Sequence, residues 1–311
     1  MNKQILVCGH VDTGKSTLIG RLLVDLKYVD KHAISISKLA AQEKGLPTWW
    51  LAFLSDIDEN ERIKGKTHSY NIIKLDKHGI TLIDVPGHQL LIKEMIDGAL
   101  CANLMLLILS AKKGEYESGL SGQTLEHLLI GRGIGLRSLI IVINKMDTIE
   151  WNIDIFEQIK KDILQKIEKY NFKNIQFIPT DSYNGGNIIQ SYNNNISLID
   201  CINKFDIDII DNVFVPLYSG LIAKVAIILF NLDKFIISVG FECIIHSGSK
   251  IFNIQIVDII GFKIISSSSD CKKPFNIIIK LIGEKPLYES ILSKIIFRKE
   301  NITIGAGKII V

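Results

Sequence analysis

The chain has 311 residues, 47% of them hydrophobic and 22% charged. That composition excludes a disordered or low-complexity polymer and leaves room for about two domains with cores of their own. Lys+Arg 36 against Asp+Glu 33 gives a net charge of +3, too small a basic excess to predict an unstructured nucleic-acid-binding tail.

In chain order, residues 4–8 form a short apolar run that meets a glycine loop at Gly9. No charged-then-apolar leader precedes it, so the expectation is a cytoplasmic chain without a signal peptide. Further apolar runs at 71–75, 80–85, 104–110, 139–144 and 175–178 read as strands, and stretches at 16–26, 89–102, 123–131, 151–170 and 196–205 read as helices. Strand-then-helix alternation with strands apolar on both faces predicts an α/β unit built on a mostly parallel, doubly wound sheet. The longest nearly uncharged run, 213–230, carries Pro216, Gly220 and Lys224, so it reads as a linker and a strand and not as a membrane span. Beyond it, 222–229, 235–246, 251–260, 275–282, 287–297 and 302–310 are short and β-branched with turn residues between them, which predicts a small all-β barrel. The domain expectation is therefore 1–205, a linker 206–220 and a barrel 221–311. Residues 193–195 and 266–269 read as exposed turns. Five cysteines, Cys8, Cys101, Cys201, Cys243 and Cys271, are odd in number and lack CxxC spacing, the pattern of buried thiols in a reducing compartment.

The sharpest motif is Gly9-His10-Val11-Asp12-Thr13-Gly14-Lys15-Ser16, a G-x-x-x-x-G-K-[ST] loop set between a strand and a helix. In such a loop backbone amides and a helix N-terminus converge on one anion, so residues 9–17, through Thr17, are candidate phosphate ligands. Lys15 would bridge β- and γ-phosphate oxygens, and the Ser16 hydroxyl would ligate Mg2+. At the end of a later strand stands Asp84-Val85-Pro86-Gly87-His88. Asp84 would hold Mg2+ through water, the Gly87 amide would sense the γ-phosphate, and His88 would orient the attacking water. Between the first helix and the second strand, Thr67 in Glu61-Arg62-Ile63-Lys64-Gly65-Lys66-Thr67 is the candidate switch threonine, reaching the metal when a γ-phosphate is present. Asn144-Lys145-Met146-Asp147 ends the fifth apolar strand. Asp147, expected as a buried carboxylate, can accept from the guanine N1 and exocyclic amino donors, which adenine does not offer, so the motif selects GTP and GDP over adenine nucleotides. The Lys145 stem would lie along the base, and Asn144 would tie this loop to the phosphate loop.

Together these residues resemble the translational GTPases, in the group of elongation factor 1-alpha, the eukaryotic class-II release factor and the ribosome-rescue GTPase. The G-H-V-D-x-G-K-S-T and D-x-P-G-H forms carry the resemblance, as does Gly122-Gln123-Thr124-Leu125-Glu126-His127 after Lys113-Gly114-Glu115. Val29-Asp30-Lys31, Thr48-Trp49-Trp50-Leu51 and Gly65-Lys66-Thr67 are most similar to the class-II release factor. The resemblance implies guanine contacts from Asp181, Ser182 and Tyr183, a monovalent-cation role for Asp12, and a gate of Val11 whose other half Lys66 removes. It resumes at 223–225, 236–246, Arg298 and 303–309 as the last barrel of the family, with the middle barrel reduced to the linker. Since the aminoacyl end of tRNA lies between the GTPase unit and the middle barrel in elongation factors, the resemblance implies a termination GTPase acting on the ribosome. Its last barrel would dock a stop-codon-reading release factor, and it would be a monomer that forms a heterocomplex, with no membrane contact. Elongation or rescue is the alternative in the same class. A GTP-binding scaffold that does not hydrolyse is the alternative outside it.

Overall fold

The computed structural model describes residues 2–55, 71–85, 95–96, 98–99, 102–119, 122–170, 172–192, 194–207, 214–217, 222–229, 235–247, 250–261, 264–265, 275–282, 289–292, 294–300 and 302–310. By its contacts the chain divides into two compact units, residues 1–127 with 136–208, and residues 128–135 with 209–311.

The first unit opens with β1 (Lys3–Cys8), α1 (Lys15–Asp25), α2 (Lys31–Glu43) and α3 (Trp50–Ser55). Then follow β2 (Asn71–Leu75), β3 (Ile80–Asp84), β4 (Leu104–Ser110), α4 (Glu115–Gly119), α5 (Gly122–Ile134, whose residues from 128 on group with the second unit), β5 (Ser138–Asn144), α6 (Ile153–Ile167), β6 (Asn174–Pro179) and α7 (Leu198–Lys204). The strands form one six-stranded sheet in the order β2-β3-β1-β4-β5-β6. All neighbours are parallel except β2, which joins β3 antiparallel as a hairpin. β4 and β5 are buried at every position, as central strands covered on both faces must be.

Local chemistry sets the helix ends. Asp30 caps α2 by accepting from Ala33 N at 2.7 Å, and Asn152 caps α6 by accepting from Asp154 N at 2.9 Å and Ile155 N at 3.2 Å. α6 buries Phe156, Ile159, Ile163 and Ile167, the stripe expected of a helix lying on a sheet. Lys3 donates to the carbonyls of Asn203 and Phe205, both at 2.8 Å, placing a cation at the negative end of α7.

α2 and α3 are absent from the sequence expectation. α2 buries only the small residues Ser37 and Ala41 and exposes Ile36 and Leu39, so it carries no apolar stripe for periodicity to detect. The predicted helix 89–102 lies largely outside the described residues, as do the predicted turn 266–269 and the cysteines Cys101 and Cys271. Cys8, Cys201 and Cys243 are buried free thiols. Among the described residues no helix is long and apolar enough to cross a membrane.

The second unit adds β7 (Phe214–Leu217), β8 (Ile222–Leu229), β9 (Ile237–Ser238), β10 (Glu242–Ser247), β11 (Lys250–Ile259) and β12 (Ile264–Ile265). β13 (Phe275–Ile282), β14 (Glu289–Leu292), β15 (Lys294–Lys299) and β16 (Ile302–Ile310) complete it. Six of these strands close a barrel in the order β10-β11-β13-β8-β16-β15, with neighbours antiparallel. Val225, Ile227, Ile245, Ile254, Ile256, Ile277, Ile279, Phe297 and Ile304 fill it. The inward alternation of β11 breaks where the register shifts between Ile256 and Asp258, a bulge that turns Val257 and Asp258 both outward. The stretch expected to be only a linker contains β7, which pairs with β14. The segment 235–246 is two strands, because Gly240 (φ 90°) turns the chain between β9 and β10.

One close approach makes a stability test. A Cβ on Gly20 would stand 2.0 Å from the backbone oxygen of Leu51, so α1 and α3 meet at backbone contact. Gly20→Ala is expected to lower unfolding stability by about 1–3 kcal/mol through forced displacement of α3, measured by urea denaturation. An unchanged midpoint would contradict this packing.

Candidate nucleotide-binding site

The C-terminal ends of β1, β3, β4, β5 and β6 point to one edge of the sheet, where open α/β sheets place ligands. Val7 pairs with Asp84 and Cys8 with Leu107, so the loop leaving β1 starts between β3 and β4. Its first glycine is required by proximity, since a Cβ on Gly9 would lie 2.3 Å from the carbonyl oxygen of Ile108. Gly14 ends the loop in the left-handed region (φ 92°) and no side chain caps the helix it begins. The first turn of α1 therefore presents its amides and the positive end of its dipole to the loop, which is the cradle an anion needs. Lys15 is buried and donates to the carbonyls of Gly9 at 3.0 Å and His10 at 2.8 Å. Thr13 Oγ1 also donates to His10 O at 2.9 Å. Burial pushes the Lys15 ammonium below its ordinary pKa, opposed by the charges of Asp84, Cys8 and Asp12. Asp84 is itself buried, while Val11, Ser16 and Thr17 are half-buried and Asp12 is exposed.

The base side is organised by Asn144, which is 2% exposed. Its Nδ2 donates to Thr13 O in the phosphate loop at 2.9 Å. Its Oδ1 accepts from Ser182 Oγ at 2.7 Å, Ser182 N at 3.0 Å and Thr180 Oγ1 at 3.2 Å. One carboxamide thus joins the loops after β1, β5 and β6. Next to it Lys145 adopts a left-handed backbone (φ 61°), and a 3-10 turn, Met146–Ile149, follows. Met146 is the buried member of that turn and Asp147 lies on its outer side, exposed. The buried carboxylate expected at 147 is therefore corrected: successive side chains of a 3-10 turn point about 120° apart, so with Met146 turned inward Asp147 faces out. Partial desolvation of the carboxyl group and then the nearby charge of Asp181 still hold the Asp147 pKa above the ordinary carboxylate value.

Asp181 uses its carboxylate on its own loop. It accepts from Tyr183 N at 3.1 Å, Asn184 N at 3.0 Å and Asn184 Nδ2 at 2.7 Å, an Asx turn closed by Asp181 N donating to Gly186 O at 3.0 Å. Ser182 is buried and Tyr183 exposed. Thr67, Gly87 and His88 lie outside the described residues, and so does Lys66.

Three further residues join this site without having been singled out for it by sequence. Arg21 on α1 donates from Nε to Ser182 O at 3.2 Å and from Nη2 to Tyr183 O, clamping the base loop to the helix behind the phosphate loop. Its only local signal is the i,i+4 pairing with Asp25 at 3.4 Å. Glu115 bonds Lys145 Nζ at 2.7 Å. His127 on α5 is buried, and both ring nitrogens lack a hydrogen-bond partner among the described residues. Burial first, then the charges of Lys15 and His10, push its pKa down to about 3, so the imidazole is neutral at physiological pH. Among the described residues no cluster of three His, Cys, Asp or Glu side chains could hold a metal by itself. The hydroxyl of Ser16 and the carboxylate of Asp84 are hard oxygen donors of the kind Mg2+ takes when phosphates complete its coordination.

A glycine-rich loop between β1 and an uncapped helix, joined through Asn144 to an Asn-Lys-x-Asp loop, defines a P-loop GTPase domain, here accompanied by an antiparallel β-barrel. The Elongation factor Tu GTP binding domain family matches residues 2–261, and the chain belongs to this family of translational GTPases. It is 40% identical over 190 residues to elongation factor 1-alpha of Thermofilum pendens and 39% identical over 194 residues to that of Saccharolobus solfataricus. Each match covers 59% of this chain and 44% of the relative, so the chain matches less than half the length of these curated relatives. Among solved structures, the Saccharomyces cerevisiae Ski7 GTPase-like domain, bound to GDP and inorganic phosphate, has a TM-score of 0.79 at 14% identity, covering 99% of this chain and 98% of that one. The apo form of elongation factor SelB from Methanococcus maripaludis has a TM-score of 0.61 at 14% identity, covering 99% of this chain and 79% of that one. These two likenesses show a shared fold.

The charge next to Asp147 gives a pH test. If Asp147 accepts from guanine N1–H and the amino group, as its place in the Asn-Lys-x-Asp motif predicts, the ionised form is the acceptor, and a raised pKa means that protonation begins at a higher pH than for an ordinary aspartate. GDP affinity is expected to fall on mild acidification, and Asp181→Asn, which removes the neighbouring charge, is expected to move that fall to lower pH. Titration calorimetry across neutral to acid pH reads this, and superimposable profiles would refute the coupling.

Proposed function

We propose that this chain binds GTP with Mg2+ and hydrolyses it as a translation factor on the ribosome, as the GTPase of peptide chain termination. The observation that carries the nucleotide reading is the Asn144 carboxamide, which holds a phosphate-binding loop and a base-reading loop in one rigid frame. In this reading the Lys15 ammonium exchanges the carbonyls of Gly9 and His10 for phosphate oxygens, and the amides of the first turn of α1 take the β-phosphate. Ser16 and Asp84, the latter through water, would hold Mg2+, whose charge neutralises the phosphates. Asp147 accepts from guanine N1 and its amino group while Lys145 covers one face of the base. His88, from its place after the Asp84 to Gly87 motif, orients the attacking water. Thr67 completes the γ-phosphate switch, and Tyr183 flanks the base.

Termination is favoured over delivery of aminoacyl-tRNA because only a short segment with one described strand, β7, runs between α7 and β8. The resembling elongation factors place a second barrel there as part of the tRNA pocket. The last barrel then serves as the dock for a stop-codon-reading partner. The second reading, elongation or rescue, is favoured by the 40% identity to elongation factor 1-alpha.

Affinity capture with a non-hydrolysable GTP analogue separates the two. A stop-codon-reading release factor retained on the chain is the expected result, and tight GTP-dependent retention of aminoacyl-tRNA would overturn termination. His88→Ala is expected to lower ribosome-stimulated phosphate release by at least about a hundredfold. Equal rates would favour a scaffold that binds without hydrolysing. Asp147→Asn exchanges an acceptor for a donor at the base, so preference is expected to move from guanosine to xanthosine nucleotides. Competition binding measures this, and unchanged GTP preference would remove Asp147 from the base site.

A further inference from the structure

Glu115, the first residue of α4, has a carboxylate with three partners on three segments. Oε2 accepts from Lys145 Nζ at 2.7 Å and from Ser110 Oγ at 2.9 Å, and Oε1 accepts from Lys112 Nζ at 3.0 Å. Ser110 is fully buried at the end of β4, directly beside Asn144 of β5 in the strand register, and Ala111 N donates to Asn144 O at 2.8 Å. The carboxylate is thus anchored to the same strand ends that carry the Asn144 frame. Lys145 is fixed at both ends. Its backbone is held left-handed, with its carbonyl accepting from Thr148 N at 3.1 Å and Thr148 Oγ1 at 2.7 Å, and its ammonium is held by Glu115.

We propose that Glu115 is a positioning residue of the base pocket: by holding the Lys145 ammonium it fixes the aliphatic stem as a preformed platform for a planar guanine base. This deepens the GTP-binding reading and rests on it. A lysine side chain has several rotatable bonds, and ordering it on binding costs affinity. Holding it beforehand removes that cost from the binding step and keeps the charged end away from the ring face. The Glu115–Lys145 pair is partly exposed, with side-chain exposures of 28% and 29%, so its Coulomb attraction is screened and its value lies in geometry more than in global stability. Burial alone would raise the Glu115 pKa, but the hydrogen bonds from Lys145, Lys112 and Ser110 bring it down to about 2, so the carboxylate stays ionised throughout any binding assay.

The test is a double-mutant cycle on the full chain with GDP, ADP and inorganic triphosphate as probes. Glu115→Gln is expected to weaken GDP binding by about five- to tenfold, chiefly through faster release, because preorganisation acts mainly on dissociation. Affinity for inorganic triphosphate, which has no base, is expected to stay as in the unmodified chain. In a Lys145→Met background Glu115→Gln is expected to have no further effect. Equal GDP affinity for Glu115→Gln and the unmodified chain, or an equal loss with and without Lys145, would overturn the proposal. Should Glu115→Gln unfold, Glu115→Asp, which keeps the charge and shortens the reach, runs through the same cycle with the same two outcomes. An unmodified chain that does not prefer GDP to ADP would instead overturn the nucleotide reading itself.

Discussion

The site depends on one buried carboxamide. Asn144 stands at the end of a fully buried central strand, and its two polar atoms reach the loops that follow β1 and β6. A buried amide is costly unless satisfied, and here the oxygen accepts three hydrogen bonds while the nitrogen reaches the Thr13 carbonyl. The same nitrogen forces Gly14 to be glycine, because a Cβ there would lie 2.4 Å from it. The phosphate loop and the base loop are therefore not independent motifs that share a surface. Their separation is set by a single side chain, and the bond that sets it also dictates a residue of the other motif.

Around this frame the chain uses charge to stiffen segments that hydrophobic packing cannot reach. Arg21 ties the backbone at Ser182 and Tyr183 to α1, and Asp181 closes its own turn with three hydrogen bonds. Glu115 holds Lys145. Each side chain fixes a loop at the sheet edge, where backbone groups would otherwise be free to rearrange. The accumulation has an electrostatic consequence, since the Asp181 carboxylate, after desolvation, adds to the proton affinity of Asp147.

The sequence made the sheet legible because β4 and β5 are continuous apolar runs, and it made the barrel legible because its segments are short, β-branched and separated by turn residues. It made the loops legible because Gly14, Lys15, Asn144 and Asp147 occur in combinations that few other purposes require. α2 and α3 were illegible for a definite reason. α2 buries a serine and an alanine, so it shows no apolar stripe, and α3 is only six residues long, too short for a helical period to be read from it. β7 was hidden because its pairing with β14 joins residues more than seventy positions apart, beyond the reach of any local pattern.

What the sequence determined by itself is the chemistry on offer: a glycine-rich loop before a helix, an Asn-Lys-x-Asp segment at a strand end, hard oxygen donors in order along the chain, and two fold classes in succession. These are local properties, carried by residue types at fixed spacing, so no three-dimensional information is needed to see them. Tertiary structure alone decided which side chains act on one another across long separations. Asn144 reaches Thr13, Arg21 reaches Ser182, and Lys145 reaches Glu115. It also decided that Met146 and not Asp147 takes the buried place in the turn. Such choices depend on the register of β1, β4, β5 and β6, which brings distant strand ends within hydrogen-bond distance, and register is a property of the assembled sheet and not of any one strand.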